Sequence, residues 1–469
     1  MTSTRLTVLF LIIAGLSSGC MVGPNYQRPQ IDIPNSFKEA PTGWKMAEPA
    51  DAIYRGQWWQ IWQDDTLNQL ASQVASANLT IAQALANYRQ AQAQVQSAQA
   101  DFFPNLSANT GASRNQNNLG TTKKVSLDAS WEIDFWGKTA RSVEAATAVA
   151  GSEEAALAVA QLSQEAQLVQ NYFALRVLDK RKQLAQDTVN LYQRTFKITE
   201  NQYKVGVVSK LDVMSAQSQL KSAEAQVIDL DLSRKQYEHA IAILIGKAPA
   251  QFTLSENKAW QPVSVTIPNA LPSSLLERRP DIAQAERNVI AANAKIGVAK
   301  AAYYPSLSLS ASGGYSATHL ADLFDVPSRV WAVGASLAEV LFDGGARTAS
   351  VKAAQAAYDG SVAGYRLTVL TALQEVEDNL AAVQALAQEQ KLHKEALNAA
   401  SISAKLALNQ YKAGTTTFVT VAQAQTSQNN AEQTVWQTIG QELSSQTLLI
   451  KALGGGWSQI SHSGKSINQ

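Results

Sequence analysis

Cys20 is the one cysteine in 469 residues, and its setting suits chemistry more than structure. A lone thiol makes no disulfide and no cysteine metal cluster within its own chain. It closes a short leader. Arg5 supplies a positive start, Leu6 to Leu16 an apolar run, and Ser17-Ser18-Gly19 the small residues of a cleavage site. A cysteine directly after such residues matches a lipobox, in which the sulfur takes a diacylglycerol and the new amino terminus is acylated. Leu16 sits one place further back than usual, with Ser17 in its position. Met21 follows the cysteine, not Asp, which fits outer- rather than inner-membrane sorting. Several acyl chains, at about 0.8 kcal/mol per buried methylene, make a firm anchor.

The other candidates for chemistry are carboxylates. Asp128, Glu132 and Asp134 share one parity of an alternating stretch with Ser126 and Ser130. Two such groups could form an acid pair, but nothing else supports an enzyme. The four histidines give no ligand pair at i, i+4 spacing, and no Gly-rich phosphate loop or nucleophile elbow occurs. No catalytic residue, no metal site and no cofactor is expected. The formal net charge of +1 also argues against a nucleic-acid binder, which would need a basic stripe.

The carboxylates must be positioned by a strand. Val125, Leu127, Ala129, Trp131, Ile133 and Phe135 alternate without error against Ser126, Asp128, Ser130, Glu132 and Asp134. Before it, Leu106, Ala108, Thr110 and Ala112 alternate with Asn105, Ser107, Asn109 and Ser113, and the loop Asn117-Asn118-Leu119-Gly120 lies between. Later, Leu307, Leu309 and Ala311 alternate with Ser306, Ser308, Ser310 and Ser312, and a weaker strand runs from Trp331 to Phe342. Each strong run is long enough for a tilted membrane strand of roughly 9–11 residues. After the leader no stretch reaches the ~18 apolar residues of a spanning helix. If the chain crosses a membrane, it does so with strands.

Helices occupy the rest. Leu67 to Ala100 reads as one helix, capped by Asp64 or Asp65 and stopped at Pro104. Gly137 to Tyr203 holds no proline; roughly 67 residues at 1.5 Å reach about 100 Å. Lys210 to Ile245 spans only about 36, so the short helices should stack end to end beside the long one. A short helix from Pro280, a long one from Ala346 to Tyr411 and a short one from Phe418 to Leu453 repeat the pattern. Val369, Leu373, Val376, Leu380, Val383 and Ala387 trace a coiled-coil seam in it. Trp58, Trp59 and Trp62 read as packing, and residues 23–60, rich in proline and aromatics, as an extended arm.

The repetition is a duplication. Asn201-Gln202-Tyr203-Lys204-Val205-Gly206-Val207-Val208-Ser209 returns as Asn409-Gln410-Tyr411-Lys412-Ala413-Gly414-Thr415-Thr416-Thr417. The shift also lays Phe103-Pro104 on Tyr304-Pro305, Phe135-Trp136-Gly137 on Phe342-Asp343-Gly344, and Ile245-Gly246 on Leu453-Gly454. The chain therefore divides into a signal peptide (1–19), a lipidated arm (20–63), a first repeat (64–248), a connector (249–275), a second repeat (276–454) and a tail (455–469). Each repeat runs helix, two strands, long helix, helix. Four strands leave two edges that lipid does not tolerate, and bacterial barrels need at least about eight. Rotational copies must complete the barrel, and three subunits would give twelve strands. Asp128, Ser130, Glu132 and Asp134 would then face the lumen.

These residues resemble the TolC-like outer-membrane factors, specifically the lipoprotein branch serving multidrug efflux pumps. The matching elements are Cys20 with Pro24-Asn25-Tyr26-Gln27-Arg28-Pro29, Trp58-Trp59, Arg279-Pro280-Asp281 with Ala285-Glu286, the two aromatic-Pro strand starts, Leu341-Phe342-Asp343-Gly344-Gly345 and both Tyr-x-x-Gly turns. The resemblance implies a mixed α/β membrane protein. It would be a homotrimer with a twelve-stranded transmembrane β-barrel continued by a long α-helical periplasmic barrel. It implies an exit duct in the outer membrane, anchored in lipid through acylated Cys20, with a periplasmic adaptor and an inner-membrane efflux transporter as partners. Val205, Gly206, Val207, Val208 and Ser209, with Ala413, Gly414, Thr415, Thr416 and Thr417, would meet the adaptor. Relatives often carry an aspartate at the second turn. Here threonines stand there, so a gate would fall among Asp212, Tyr411, Thr416 and Thr420, with Asp212 also placed to cap its helix. A protein-secretion duct of the same architecture is the alternative. A coiled-coil envelope spacer is opposed by the alternating strands.

Overall fold

The computed structural model describes residues 21–34, 36–39, 56–114, 121–263, 265 and 278–455. Cys20, the loop at Asn117-Asn118-Leu119-Gly120 and the tail after Gly455 lie outside the described residues. In chain order the elements are α1 (Asp65–Ala77), α2 (Leu79–Ala100), β1 (Asn105–Ser113), β2 (Thr122–Ile133), α3 (Lys138–Lys204), α4 (Lys210–Leu244), α5 (Pro280–Ala301), β3 (Ser306–Ala317), β4 (Arg329–Ala338), α6 (Ala346–Lys412) and α7 (Phe418–Ala452). Helices α3 and α6 are each 67 residues long, and α4 and α7 are each 35.

The described chain packs as two compact units, each drawing on both sequence repeats. One holds the arm to Asp32, Ala84–Leu157 and Asp281–Thr368; the other holds Ile33–Gln83, Ala158–Pro280 and the chain from Val369. The first unit contains the sheet, antiparallel throughout in the order β1-β2-β3-β4. The strand expected to reach Phe342 ends at Ala338.

The second unit contains α1, α4 and α7 and the joints that link them to other helices. The single helix expected from Leu67 to Ala100 is two helices. Asn78 leaves helical geometry with ψ 125°. Its side-chain oxygen accepts from the N–H groups of Thr80 and Ile81 at 2.9 and 3.1 Å, capping α2. Its side-chain amide donates to the Leu244 carbonyl at 2.9 Å, an orphan acceptor at the end of α4. The repeat carries its own version of this joint. Arg279, before α5, donates to the Ala452 carbonyl at the end of α7, 3.0 Å away. The start of each short helix thus completes the end of another, as the length argument required.

The core of this unit is aromatic at one place and charged at another. Trp62 stands edge-on to Phe173 at 5.0 Å, Trp58 donates to Glu165 at 3.0 Å, and Tyr172 donates to the capping residue Asp64 at 2.6 Å. The buried carboxylate of Asp179 accepts from Arg176 at 3.0 Å and Arg234 at 2.7 Å. Arg234 also pairs with Glu238 and donates to the Leu254 carbonyl, and Arg176 donates to the Ser255 carbonyl. Both arginines therefore hold the connector backbone onto α3 and α4, with their own charges opposed by Asp179 and Glu238. In α6 the expected seam holds only in part: Val369, Val376 and Leu380 are buried, Leu373 and Val383 are half-buried with Ala372 buried beside Leu373, and Ala387 is exposed.

Candidate functional site

The strand register brings the alternation of all four strands into phase. Val125 lies opposite Thr110 and Tyr315, Leu127 opposite Ala108 and Gly313, Ala129 opposite Leu106 and Ala311. Leu309 lies opposite Trp131 and Ala335, Ala311 opposite Val333, and Leu307 opposite Leu337. Because opposed residues share a face, one face carries almost every large apolar side chain. That face is bare in the chain: Trp331 is 80% exposed and Leu127 55%. The other face carries Ser, Asn, Asp and Glu.

Of the four residues expected to line a lumen, three share the polar face. Asp128 accepts from Asn109 and from Ser126, each at 2.8 Å, a network across two strands. Ser130 is exposed between Asn105 and Ser310. Glu132 pairs with Lys138 at 3.2 Å. Asp134 lies one residue past the strand and turns to α3, where its carboxylate accepts from the N–H groups of Thr139 and Ala140 at 3.0 and 2.8 Å. It occupies the anion site of a helix start, not the lumen row.

The arm residues that follow Cys20 are built into the same unit. The Val22 N–H donates to the Trp136 carbonyl at 3.1 Å, just beyond the end of β2. Arg141 donates to Asn25 at 2.8 Å, and Asn293 to the Pro24 carbonyl at 2.9 Å. Gly23 passes so close to α5 that a Cβ there would lie 2.5 Å from the Gly297 backbone. Arg28 forks Glu286 at 2.8 and 2.5 Å, and Tyr26 donates to the same carboxylate at 3.0 Å. Burial works against the charge on Glu286, but Arg28 and Tyr26 outweigh it and hold the carboxyl below its usual range. Burial, and then the Glu286 charge, push the Tyr26 hydroxyl up.

The two glycine turns have one backbone. Gly206 and Gly414 adopt φ +76° and +74°. Gly206 donates to Tyr203 and Val207 to Gln202; Gly414 donates to Tyr411 and Thr415 to Gln410. This is the Schellman ending, which needs a left-handed residue. Gly246 and Gly454 repeat it at the ends of α4 and α7. At the first turn Val205 and Val207 are 74% and 66% exposed, and Ser209 is exposed. At the second, Ala413, Gly414, Thr415 and Thr417 are exposed and Thr416 half-buried. Val208 points inward onto a cluster of Ala216, Ala407, Tyr411, Phe418 and Val421, so both turns rest on one apolar base.

Of the residues expected at a gate, Asp212, Tyr411 and Thr420 each have a partner within the chain. Asp212 closes a capping box with Ser209: its carboxylate accepts from the Ser209 N–H at 3.0 Å, and its own N–H donates to the serine hydroxyl. Tyr411 is buried, its ring 6.0 Å from Phe418 and its hydroxyl 3.2 Å from the Thr199 hydroxyl. Thr420 meets Thr417 at 3.3 Å on the exposed side. Sequence reasoning missed the Thr199–Tyr411 contact and the Gln425 bond to Thr195. They join α3 to α6 and to α7 through neutral residues that carry no spacing signal. Arg176 and Asp179 at i, i+3, and Arg234 and Glu238 at i, i+4, were visible pairs in helices otherwise short of charge.

Among the described residues no helix is long and apolar enough to cross a membrane, and no group of side chains could hold a metal ion. The chain belongs to the outer membrane efflux protein family, whose model matches residues 70–247 and again 271–455, one match for each repeat. It is 30% identical over 465 residues to Nodulation protein T of Rhizobium leguminosarum bv. viciae, covering 97% of this chain and 94% of that protein. It is 28% identical over 450 residues to the Cation efflux system protein CusC of Escherichia coli O6:H1, covering 94% and 97%. The solved structure of the outer-membrane channel OprN superposes with a TM-score of 0.84 at 29% identity, covering 93% of this chain and all of that one.

Proposed function

We propose that this chain is the outer-membrane exit duct of a tripartite efflux pump, passing drugs or other small molecules from a periplasmic adaptor and an inner-membrane transporter to the exterior. The observation that carries the reading is the in-phase sheet: one face bare and apolar, the other hydrogen-bonded and polar, with β1 and β4 as open edges. Open edges are not stable in hydrocarbon. Pairing β4 of one copy with β1 of the next closes them, and three copies give twelve strands, within the range of bacterial barrels. Asp128, Ser130 and Glu132 then line the lumen, and helices α3 and α6, about 100 Å each, carry the conduit into the periplasm.

The exposed turns at Val205, Gly206 and Val207 and at Ala413, Gly414 and Thr415 dock the adaptor. With Asp212 capping and Tyr411 packed inside, the gate falls to Thr416 and Thr420. Cys20 carries the acyl anchor, and its neighbour Met21 lies against Gly137, where β2 gives way to α3. That is the depth at which an inner-leaflet lipid would enter. Cysteines introduced at Leu127 and Trp331 should resist water-soluble thiol reagents in intact outer membranes, while those at Ser130 and Ser310 react through the lumen. Equal labelling of the two pairs would overturn the membrane reading.

A further inference from the structure

The turn between β3 and β4, residues 318–328, is too well organised for a solvent loop. Leu323 N–H donates to Leu320, Asp325 N–H to Asp322 and Ser328 N–H to Asp325, at 3.0–3.3 Å, and the Ser328 hydroxyl donates to the Asp322 carbonyl at 2.7 Å. Leu323 is buried beneath it. Yet Leu320, Phe324 and Val326 stand 67%, 68% and 68% exposed. Phe324 is fixed edge-on to Tyr315, ring centres 5.4 Å apart. Tyr315 lies opposite Val125, so the turn leans over the apolar face of the sheet, not the polar one.

That face has a second feature at the same end. Across all four strands its parity carries only two charged residues, Lys123 and Arg329, and both are cations. Arg329 lies opposite Tyr315, and Lys123 opposite Ala317. The ammonium of Lys123 reaches over β3 to the Thr318 carbonyl at 3.2 Å. The carboxylates of the turn, Asp322 and Asp325, are exposed and stand past the strand ends, leaving the rim itself to the cations.

We propose that this rim is a binding site for a phosphate-bearing lipid of the outer leaflet. Its acyl chains lie against Leu320, Phe324 and Val326, and its phosphate is met by Lys123 and Arg329. The inference rests on the reading of the sheet as membrane-spanning. Cations at the border of an apolar face keep their stems in hydrocarbon and their heads at the water boundary. The anion found at that depth is a lipid phosphate, for which a guanidinium fork is well matched. Tyr315 between them suits the same layer. A free polyanion would have no use for the exposed phenylalanine, and an uncharged lipid none for the two cations.

The test uses the full-length acylated protein in detergent, titrated in native mass spectrometry with bis-phosphorylated lipid A, with lipid A stripped of both phosphates, and with inorganic phosphate. At about fivefold per basic residue, the phosphorylated form should bind roughly twenty-five-fold tighter. Lys123→Gln with Arg329→Gln should erase that difference, and Phe324→Ser should weaken both lipid forms. Lys124→Gln, one residue along on the polar face, should change nothing. Equal binding of the two lipids by the unaltered protein overturns the proposal, as does an equal loss in Lys124→Gln, or displacement of lipid by inorganic phosphate. The Cys20→Ser protein, which lacks the acyl chains and can enter a bilayer only through the sheet, is floated with phosphatidylcholine vesicles. Flotation without phosphate discrimination overturns this inference alone, whereas failure to float overturns the membrane reading with it.

Discussion

Gly206 and Gly246 do the same backbone work and should answer differently to a side chain. Both end a helix at positive φ, +76° and +70°. Around Gly206 no atom lies within 4 Å of the place a Cβ would take; at Gly246 the Ala77 carbonyl oxygen would be 2.4 Å away. A side chain at either costs on the order of 1 kcal/mol in strain, but only Gly246→Ala also forces α1 and α4 apart. Gly246→Ala should therefore lower the melting temperature of the purified protein well beyond Gly206→Leu. Gly206→Leu and Gly414→Leu should assemble normally and lose efflux, read as dye accumulation in the same cells; full efflux in both would end the docking proposal. The sequence showed that glycine was required at each turn, because only glycine tolerates the conformation freely. It could not show which glycine also faces a neighbour's carbonyl. Glu286 makes a second test. Its folded pKa lies below the ordinary 4.5, so its contribution is complete above about pH 4.5 and disappears as pH falls through the depressed value. Hydrogen exchange of residues 21–29 should rise as the medium is acidified through that window. Glu286→Gln should remove the pH dependence, and an unchanged profile in that variant would assign it elsewhere.

At the scale of elements, the strands were legible because period two is a strong pattern and the register brought every parity into agreement. Asp134 kept that parity in the sequence but left the strand, since the first N–H groups of α3 needed an acceptor. Asn78 was illegible for a related reason. The helical pattern continues on both sides of it, and only the Leu244 carbonyl, 166 residues away, decides that the helix breaks there. Asp212 is where the distinction between cap and gate can be measured. Asp212→Ala should cost about 1 kcal/mol in denaturant unfolding, the usual worth of a capping box, and leave single-channel conductance in planar bilayers unchanged. A change in conductance would restore the carboxylate to the gate.

At the scale of the molecule, the duplication was legible and the packing units were not. Sequence repeats divide the chain by order, whereas each compact unit takes segments from both, because α3 and α6 are long enough to serve two units each. The arm gives a prediction at this scale. Its contacts begin at Met21 and Val22 and do not depend on the acyl chains. Cys20→Ser should lose the lipid mass in intact-protein spectrometry yet keep the Arg28–Glu286 region protected from protease. A mutant that still carries lipid would refute acylation at Cys20.

The pairing of β2 with β3 also sets a timetable. Lys123 and Thr318, which meet across that seam, are 195 residues apart, while β1 and β2, like β3 and β4, are close neighbours in sequence. On the proposed route to the outer membrane, each hairpin can close as soon as it is made, but the first must wait for its neighbour until the second repeat has crossed the inner membrane. Closing so long a loop costs little extra equilibrium free energy, about 0.6 kcal/mol per doubling of length, so the burden is one of time. During that interval a lone hairpin of the first repeat stands in the periplasm with Leu106, Leu127 and Trp131 uncovered and an edge open for pairing. The half-made chain is then most prone to aggregate, and a periplasmic holding chaperone has the most to protect.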